Sequence, residues 1–463
     1  MTIETLSDDI VLCVFDSYRQ GLEDDDGTWP WHVLAHICQR WRCIIFACPV
    51  HLNLRLECKS RTDAKAALDL WPTLPIVIKA TFDKDGDEDD IIGALEYRDR
   101  VAGITFWDIT TSRLQKCLAL MQETFPILTY LSLYSSYNKE SAYLITDAFL
   151  GESAPRLQTL NLSGIRFPTL PNFLSSASDL VDLSLGQFPT TGSGHISPEA
   201  MALSLSVLVR LRSLSIDFRS RSSYPTSQGP PPSTHSILPA LTDITLEGPH
   251  GYLDDLVARI DAPLLDSGFI HIYDEPTFGA PRLPHFIHRT EKLKSLGLVS
   301  VYIRHEGSFL CFHSSVGSKS KSAKISLTFP FDESHTPVKL LEQIGTQWSD
   351  LLSHVERLEI GGDDLYFGPW WQEGNALWLE FLRPFTAVQT LRLSGEDLLP
   401  HLAGILGAVT GKRAAQVLPA LHTILLWDSE EEEYYDHLLK PFLVAREHSE
   451  HPVVVEYEDL SKS

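Results

Sequence analysis

Apolar residues recur along this chain in two rhythms. Near the N-terminus the spacing is helical. Ile10 and Val14, with Val11, Phe15 and Tyr18, fall on one wide face, and Val33, Ile37, Trp41 and Ile45 stand four apart, flanked by Leu34, Cys38 and Ile44. Ser7 suits an N-cap, and Asp8 and Asp9 put negative charge in the first turn, where the helix dipole favours it. Next, residues 52–56 (Leu-Asn-Leu-Arg-Leu) alternate like a strand, and 62–71 read as a helix capped by Thr62 or Asp63. Trp71-Pro72-Thr73-Leu74-Pro75 closes that helix ahead of a second strand at 76–78.

From there one pattern takes over, L-x-x-L-x-L. It appears as Leu128/Leu131/Leu133, Leu157/Leu160/Leu162, Leu180/Leu183/Leu185, Leu211/Leu214/Ile216 and Leu241/Ile244/Leu246. It continues as Leu293/Leu296/Leu298, Val355/Leu358/Ile360, Val388/Leu391/Leu393 and Leu421/Ile424/Leu426. Weaker copies are Val101/Ile104/Phe106, Leu265/Gly268/Ile270 and Ser322/Ile325/Leu327. Successive starts from Leu128 onward lie between 23 (157 to 180) and 33 (388 to 421) residues apart. Each unit reads as a short strand followed by an apolar return, such as 198–208 or 338–352. One such unit cannot bury both faces, whereas a stack of them shares a continuous core. The pattern resembles long, irregular leucine-rich repeats, without their regular Asn or Cys after the last Leu; Ile165 and Phe188 stand there instead. The expected fold is α/β, a curved solenoid of parallel βα units over 49–463, with a Pro/Ser/Gly-rich mobile loop at 219–236 and a second flexible insertion at 314–322.

The first 48 residues do not fit that stack. A piece of this size cannot bury two broadly apolar helices within itself, so it needs something to lean on. Leu6, then Ile10-Val11-Leu12 behind Asp8 and Asp9, then Val14-Phe15, then Ile37-Cys38-x-x-Trp41 resembles the F-box, the helical motif that docks on the Skp adaptor of Skp–cullin–F-box ubiquitin ligases. Two departures are evident: Ser7 replaces the family's usual Pro, and the stretch 20–30 is longer than the usual inter-helix turn. Residues 49–78 are similar to the segment following the F-box in the expanded F-box families of mushroom-forming fungi. The resemblance implies a non-catalytic receptor subunit. The head would bind the Skp adaptor, and through it a cullin, using Leu6, Ile10, Val11, Val14, Phe15, Val33, Ile37, Cys38 and Trp41, with Trp41 as hot spot. The solenoid would present an unknown protein target for ubiquitin transfer. The competing reading is a repeat scaffold with no ligase role.

Composition narrows the partners. The 463 residues carry a net charge of −23, which repels phosphate backbones and anionic membranes. No run approaches a membrane span, and no basic n-region precedes an apolar stretch, so neither a membrane anchor nor a signal peptide is expected. Seven scattered cysteines form no disulfide framework, which suits the cytoplasm or nucleus. Chemistry-like motifs fail on spacing. The acidic run 83–90 has Glu88 and Ala94 where a calcium loop needs Gly and Glu. Gly407 and Gly411 are one residue too close for a phosphate loop, with Arg413 in place of its Ser or Thr. Cys38, Cys43 and Cys48, or His448 with His451, converge on no metal. No catalytic residue, metal or cofactor is expected.

Strand alternation places the third, fifth and seventh positions of each repeat outward. Those positions give Tyr130, Ser132 and Tyr134, then Thr159, Asn161 and Ser163, then the acids Asp182, Asp217, Asp243 and Glu247. Phe269 and His271 follow, then Lys324, Arg357 and Arg392 with Glu359 among them, and Trp427. Asp217, Asp243, Glu247, Phe269, His271, Lys324, Arg357, Arg392 and Trp427 are the candidate target-binding residues.

Overall fold

The structure is a computed structural model. It describes residues 6–20, 34, 36–47, 56–59, 75–81, 88–109, 111–135, 143–188, 195–218, 235–274, 282–293, 297–304, 309–315, 324–330, 337–362, 375–396, 398–427 and 432–458. The chain is an α/β protein whose strands are mostly parallel. It divides into two compact units, Met1–Leu160 and Asn161–Ser463.

In the first unit, helices α1 (Asp8–Gln20) and α2 (Gln39–Ala47) pack on one another, and strands β1 (Leu56–Lys59), β2 (Ile76–Thr81), β3 (Val101–Ile109) and β4 (Tyr130–Ser135) run parallel in that order. Helices α3 (Glu88–Leu95) and α4 (Thr111–Leu120) return between strands. Ile104 and Phe106 register with Leu131 and Leu133, so the weak repeat copy at Val101 joins the frame. The helix expected at 62–71 and the loop at 20–30, beyond Gln20 itself, lie outside the described residues.

The second unit opens within β5 (Thr159–Ser163) and continues through β6 (Asp182–Phe188), β7 (Ser213–Phe218), β8 (Asp243–Gly248) and β9 (Ser267–Ile272). Next come β10 (Leu298–Arg304), β11 (Phe309–Ser315), β12 (Lys324–Pro330), β13 (Arg357–Gly362), β14 (Thr390–Leu393), β15 (Thr423–Trp427) and β16 (Val454–Glu458). The repeats stack in register: Leu183, Leu214, Ile244, Gly268 and Ile325 form one buried row and Leu185, Ile216, Leu246, Ile270 and Leu327 the next. Helices fill the returns: α5 (Leu170–Ser176), α6 (Pro198–Ser206), α7 (His250–Val257), α8 (Arg282–Arg289), α9 (Pro337–Gln347), α10 (Ser349–Leu352), α11 (Asn375–Leu382), α12 (Leu398–Ala408) and α13 (Glu432–His448). Ser197 caps α6 by accepting a hydrogen bond from the Ala200 amide at 3.2 Å, satisfying one of the free first-turn donors.

Two expectations are corrected. The strands are not all parallel, nor in chain order. The spatial sequence runs β9-β12-β11-β10-β13, with β11 antiparallel to both neighbours. Ser314 and Ser315, expected in a flexible insertion, end that antiparallel strand. In addition, the copy expected at Leu293/Leu296/Leu298 sits three residues late in frame. Val299 and Val301 pair with Leu358 and Ile360, while Leu298 faces Arg357. Of the loop at 219–236, residues 219–234 lie outside the described residues, and Ser236 with Ile237 forms a short parallel pair with Ile260–Asp261.

Candidate functional site

Two surfaces carry the residues the sequence singled out. On the helical head, side chains of the expected adaptor surface separate by depth. Val11, Phe15 and Trp41 are buried together with Leu34 and Ile44. The Phe15 and Trp41 rings meet edge to face with centroids 4.8 Å apart, a favoured quadrupole geometry. Arg40 ties the helices by donating to the Leu6 carbonyl and, at 2.6 Å, to Asp8 Oδ1. Ile10, Val14 and Ile37 instead stand out at 50%, 45% and 53% exposure, a large apolar area left facing solvent by so small a piece. Cys38 is exposed and Leu6 half-buried; Val33 lies outside the described residues. Trp41, expected as the hot spot of that surface, is 6% exposed and lies in the head's interior.

The second surface is the outward face of the second unit's strands. β7 and β9 alternate half-buried and buried residues throughout, as two-residue periodicity requires. Asp217 and Glu247 are in register on neighbouring strands, and Glu247 pairs in turn with His271. Tyr273 Oη donates to Asp217 Oδ1 at 2.6 Å and lies 3.2 Å from Glu247 Oε2. One phenolic proton cannot serve both fully, so Asp217 takes the shorter bond and Glu247 relies on His271, whose Nδ1 is 3.6 Å away. The His271 hydrogen bond holds the Glu247 carboxyl below its usual range against the opposing effect of burial. Burial, then Asp217, pushes the Tyr273 hydroxyl up, so it stays a proton donor. Phe269 meets His271 edge on at 6.3 Å.

Further along the same face Ser300 Oγ donates to Glu359 Oε2 at 2.7 Å, and Arg392 Nη1 lies 3.7 Å from Glu359 Oε1. The Arg392 guanidinium stacks over the Trp427 ring at 3.9 Å, a cation–π contact. Asp243, Lys324 and Arg357 are exposed at the starts of their strands and join neither cluster, although Asp243 Oδ2 accepts from Thr242 at 2.7 Å. Tyr273 and Ser300 escaped the sequence reading. Tyr273 stands one residue past β9, beyond the repeat's seventh place, though the alternation Phe269, His271, Tyr273 points to it. Ser300 was hidden by the three-residue error in frame at β10.

Among the described residues no group of three or more His, Cys, Asp or Glu side chains is placed to hold a metal ion, and no helix is long and apolar enough to cross a membrane. Compared with family models and with curated proteins, the chain matches none.

Proposed function

We propose that this chain is a substrate receptor of a Skp–cullin–F-box type ubiquitin ligase, with an F-box-like head and a leucine-rich-repeat-like second part that binds a target protein. The observation that carries the reading is the pairing of a closed Phe15–Trp41 interior with an exposed apolar Ile10, Val14 and Ile37. A folded helical pair that keeps such residues in water gains by burying them against a partner. The N-terminal resemblance names the Skp adaptor as that partner. In this role the protein supplies no catalytic group. It raises the target's effective concentration near a ubiquitin-loaded enzyme carried elsewhere in the assembly. The target meets the outward face, where carboxylates fixed by Tyr273 and His271 lie apart from the Arg392–Trp427 stack. The cytoplasm or nucleus follows as the place of action.

The test is co-purification from cells of the tagged full chain with the Skp adaptor and a cullin, beside the double variant Ile10→Asp, Val14→Asp. Both partners are expected with the native chain and neither with the variant. Recovery of the adaptor with neither chain leaves an interaction scaffold as the better reading. Lys324→Glu with Arg357→Glu, both on exposed positions, is expected to weaken target capture while leaving adaptor recovery unchanged.

A further inference from the structure

Every residue of α7 is buried, yet this eight-residue helix carries His250, Asp254 and Asp255. Two of the three charges it could bear are answered. Arg282 pairs with Asp255 and stands 3.9 Å from Asp254, which also accepts from the Leu283 amide at 3.2 Å. His250 is different. Its main-chain amide donates to Asp274 Oδ1 at 2.6 Å, but its imidazole, 4% exposed, has no hydrogen-bond partner for Nε2 among the described residues. An imidazole nitrogen buried without a partner destabilises the folded state, so such atoms call for an explanation.

His250 is one of the residues that line a cavity. Its walls are otherwise largely apolar, with Leu253, Ile270, Ile272, Phe329 and Trp348 among them. The empty space is about 460 Å³ with its open mouth, while only about 30 Å³ admits the centre of a water molecule. The enclosed part is therefore narrow, and the exposed Gln347 stands at its edge. Its position follows from the strand order. Because β12 rather than β10 lies beside β9, the helix that follows β12 is the one that meets α7 here: Ile344 and Gln347 of α9 line the cavity together with α7 and with Leu283 of α8. Breaks in strand succession are where open α/β sheets leave room for ligands.

We propose that this cavity binds a small uncharged molecule with an apolar body of one ring or a short chain and a single hydroxyl, which pairs with His250 Nε2. A hydroxyl both donates and accepts, so it satisfies Nε2 in either imidazole tautomer. Burial pushes the His250 imidazole down to about 4, so it is neutral near pH 7 and offers no charge to an anion. An anionic ligand would also lie beside Asp254, and a cationic one would be desolvated where Arg282 already answers that carboxyl. The inference is independent of any ligase role.

The experiment uses the full chain, isotope-labelled at Ile and Leu methyls, titrated separately with phenol and with toluene. Phenol is expected to shift the Leu253, Ile270 and Ile272 methyls saturably, and to bind about tenfold more tightly than toluene, the order that one hydrogen bond contributes. In His250→Leu the two should bind equally. In Ile344→Trp, which narrows the cavity, neither should bind. Native protein whose methyls respond to neither probe, or equally to both, overturns the proposal; so does a His250→Leu protein that keeps the preference for phenol. Should His250→Leu fail to fold, the phenol and toluene comparison on the native chain still decides.

Discussion

Arg446 shows how much a single side chain holds. It is fully buried on α13, and its donors reach five carbonyls: His451, Ala414, Leu418, Pro419 and Leu421, at 2.8 to 3.4 Å. Guanidinium has five N–H groups, so the set is complete without a carboxylate. Burial pulls its pKa down, but not enough for an arginine to lose its charge at ordinary pH. Arg446→Lys supplies only three donors and leaves carbonyls unanswered, so it is expected to destabilise by about 3 kcal/mol in urea unfolding. A loss below about 1 kcal/mol would show that water replaces the guanidinium. His250 and Asp254 give the molecule a pH signature. Burial holds His250 down to about 4 and pushes Asp254 up to about 6 despite Arg282. As pH falls from the usual imidazole value toward 4, the unfolded chain takes up the His250 proton first, and stability is lost. Asp254 acts in the opposite direction, because its folded form holds the proton longer as pH rises toward 6. In His250→Asn the first contribution disappears. The stability difference between native chain and variant should shrink by about 3 kcal/mol between pH 7 and pH 4, and parallel curves would count against the burial of a neutral imidazole.

At the scale of elements, close packing in the helix layer separates two glycines of α12. A Cβ on Gly407 would stand 2.0 Å from the Leu438 carbonyl oxygen of α13, whereas one on Gly404 meets nothing within 4 Å. Gly404→Ala should therefore stabilise by about 0.5 to 1 kcal/mol, as helix propensity dictates, and Gly407→Ala should destabilise by about 2 kcal/mol or more. Thermal unfolding of both variants checks this, and equal effects would mean that α12 and α13 are further apart. Gly407 had looked like part of a failed phosphate loop; its small size serves helix approach instead. Much of the strand framework was legible in the L-x-x-L-x-L spacing, because buried rows need apolar residues at fixed steps whatever the loops do. Which strands are neighbours was not. β11 reads Phe-Leu-Cys-Phe-His-Ser-Ser, without the repeat spacing, and nothing in periodicity says that it inserts antiparallel between β10 and β12. The outward clusters were half legible. Asp217, Glu247 and His271 follow from alternation, but Tyr273 joins them only because β8 and β9 bring chain-distant residues together. On the head, apolar spacing identified the helices but could not tell the inner Trp41 from the outer Ile10.

For the whole molecule, the net charge of −23 makes steering by salt a useful discriminator. Docking through Ile10, Val14 and Ile37 buries apolar area and should respond weakly to ionic strength, whereas capture through Lys324, Arg357 and Arg392 should weaken as salt rises. The proposed function requires that the outer face of the head bind the adaptor. It is tested most directly by calorimetric titration of purified full chain with purified Skp adaptor at two salt concentrations, for the native chain and for Ile10→Asp, Val14→Asp. Saturable one-to-one binding that changes little with salt is expected, with a loss of at least tenfold in the variant and its circular dichroism unchanged. Absence of binding by the native chain at micromolar concentrations, or equal binding by the well-folded variant, would contradict the proposed function.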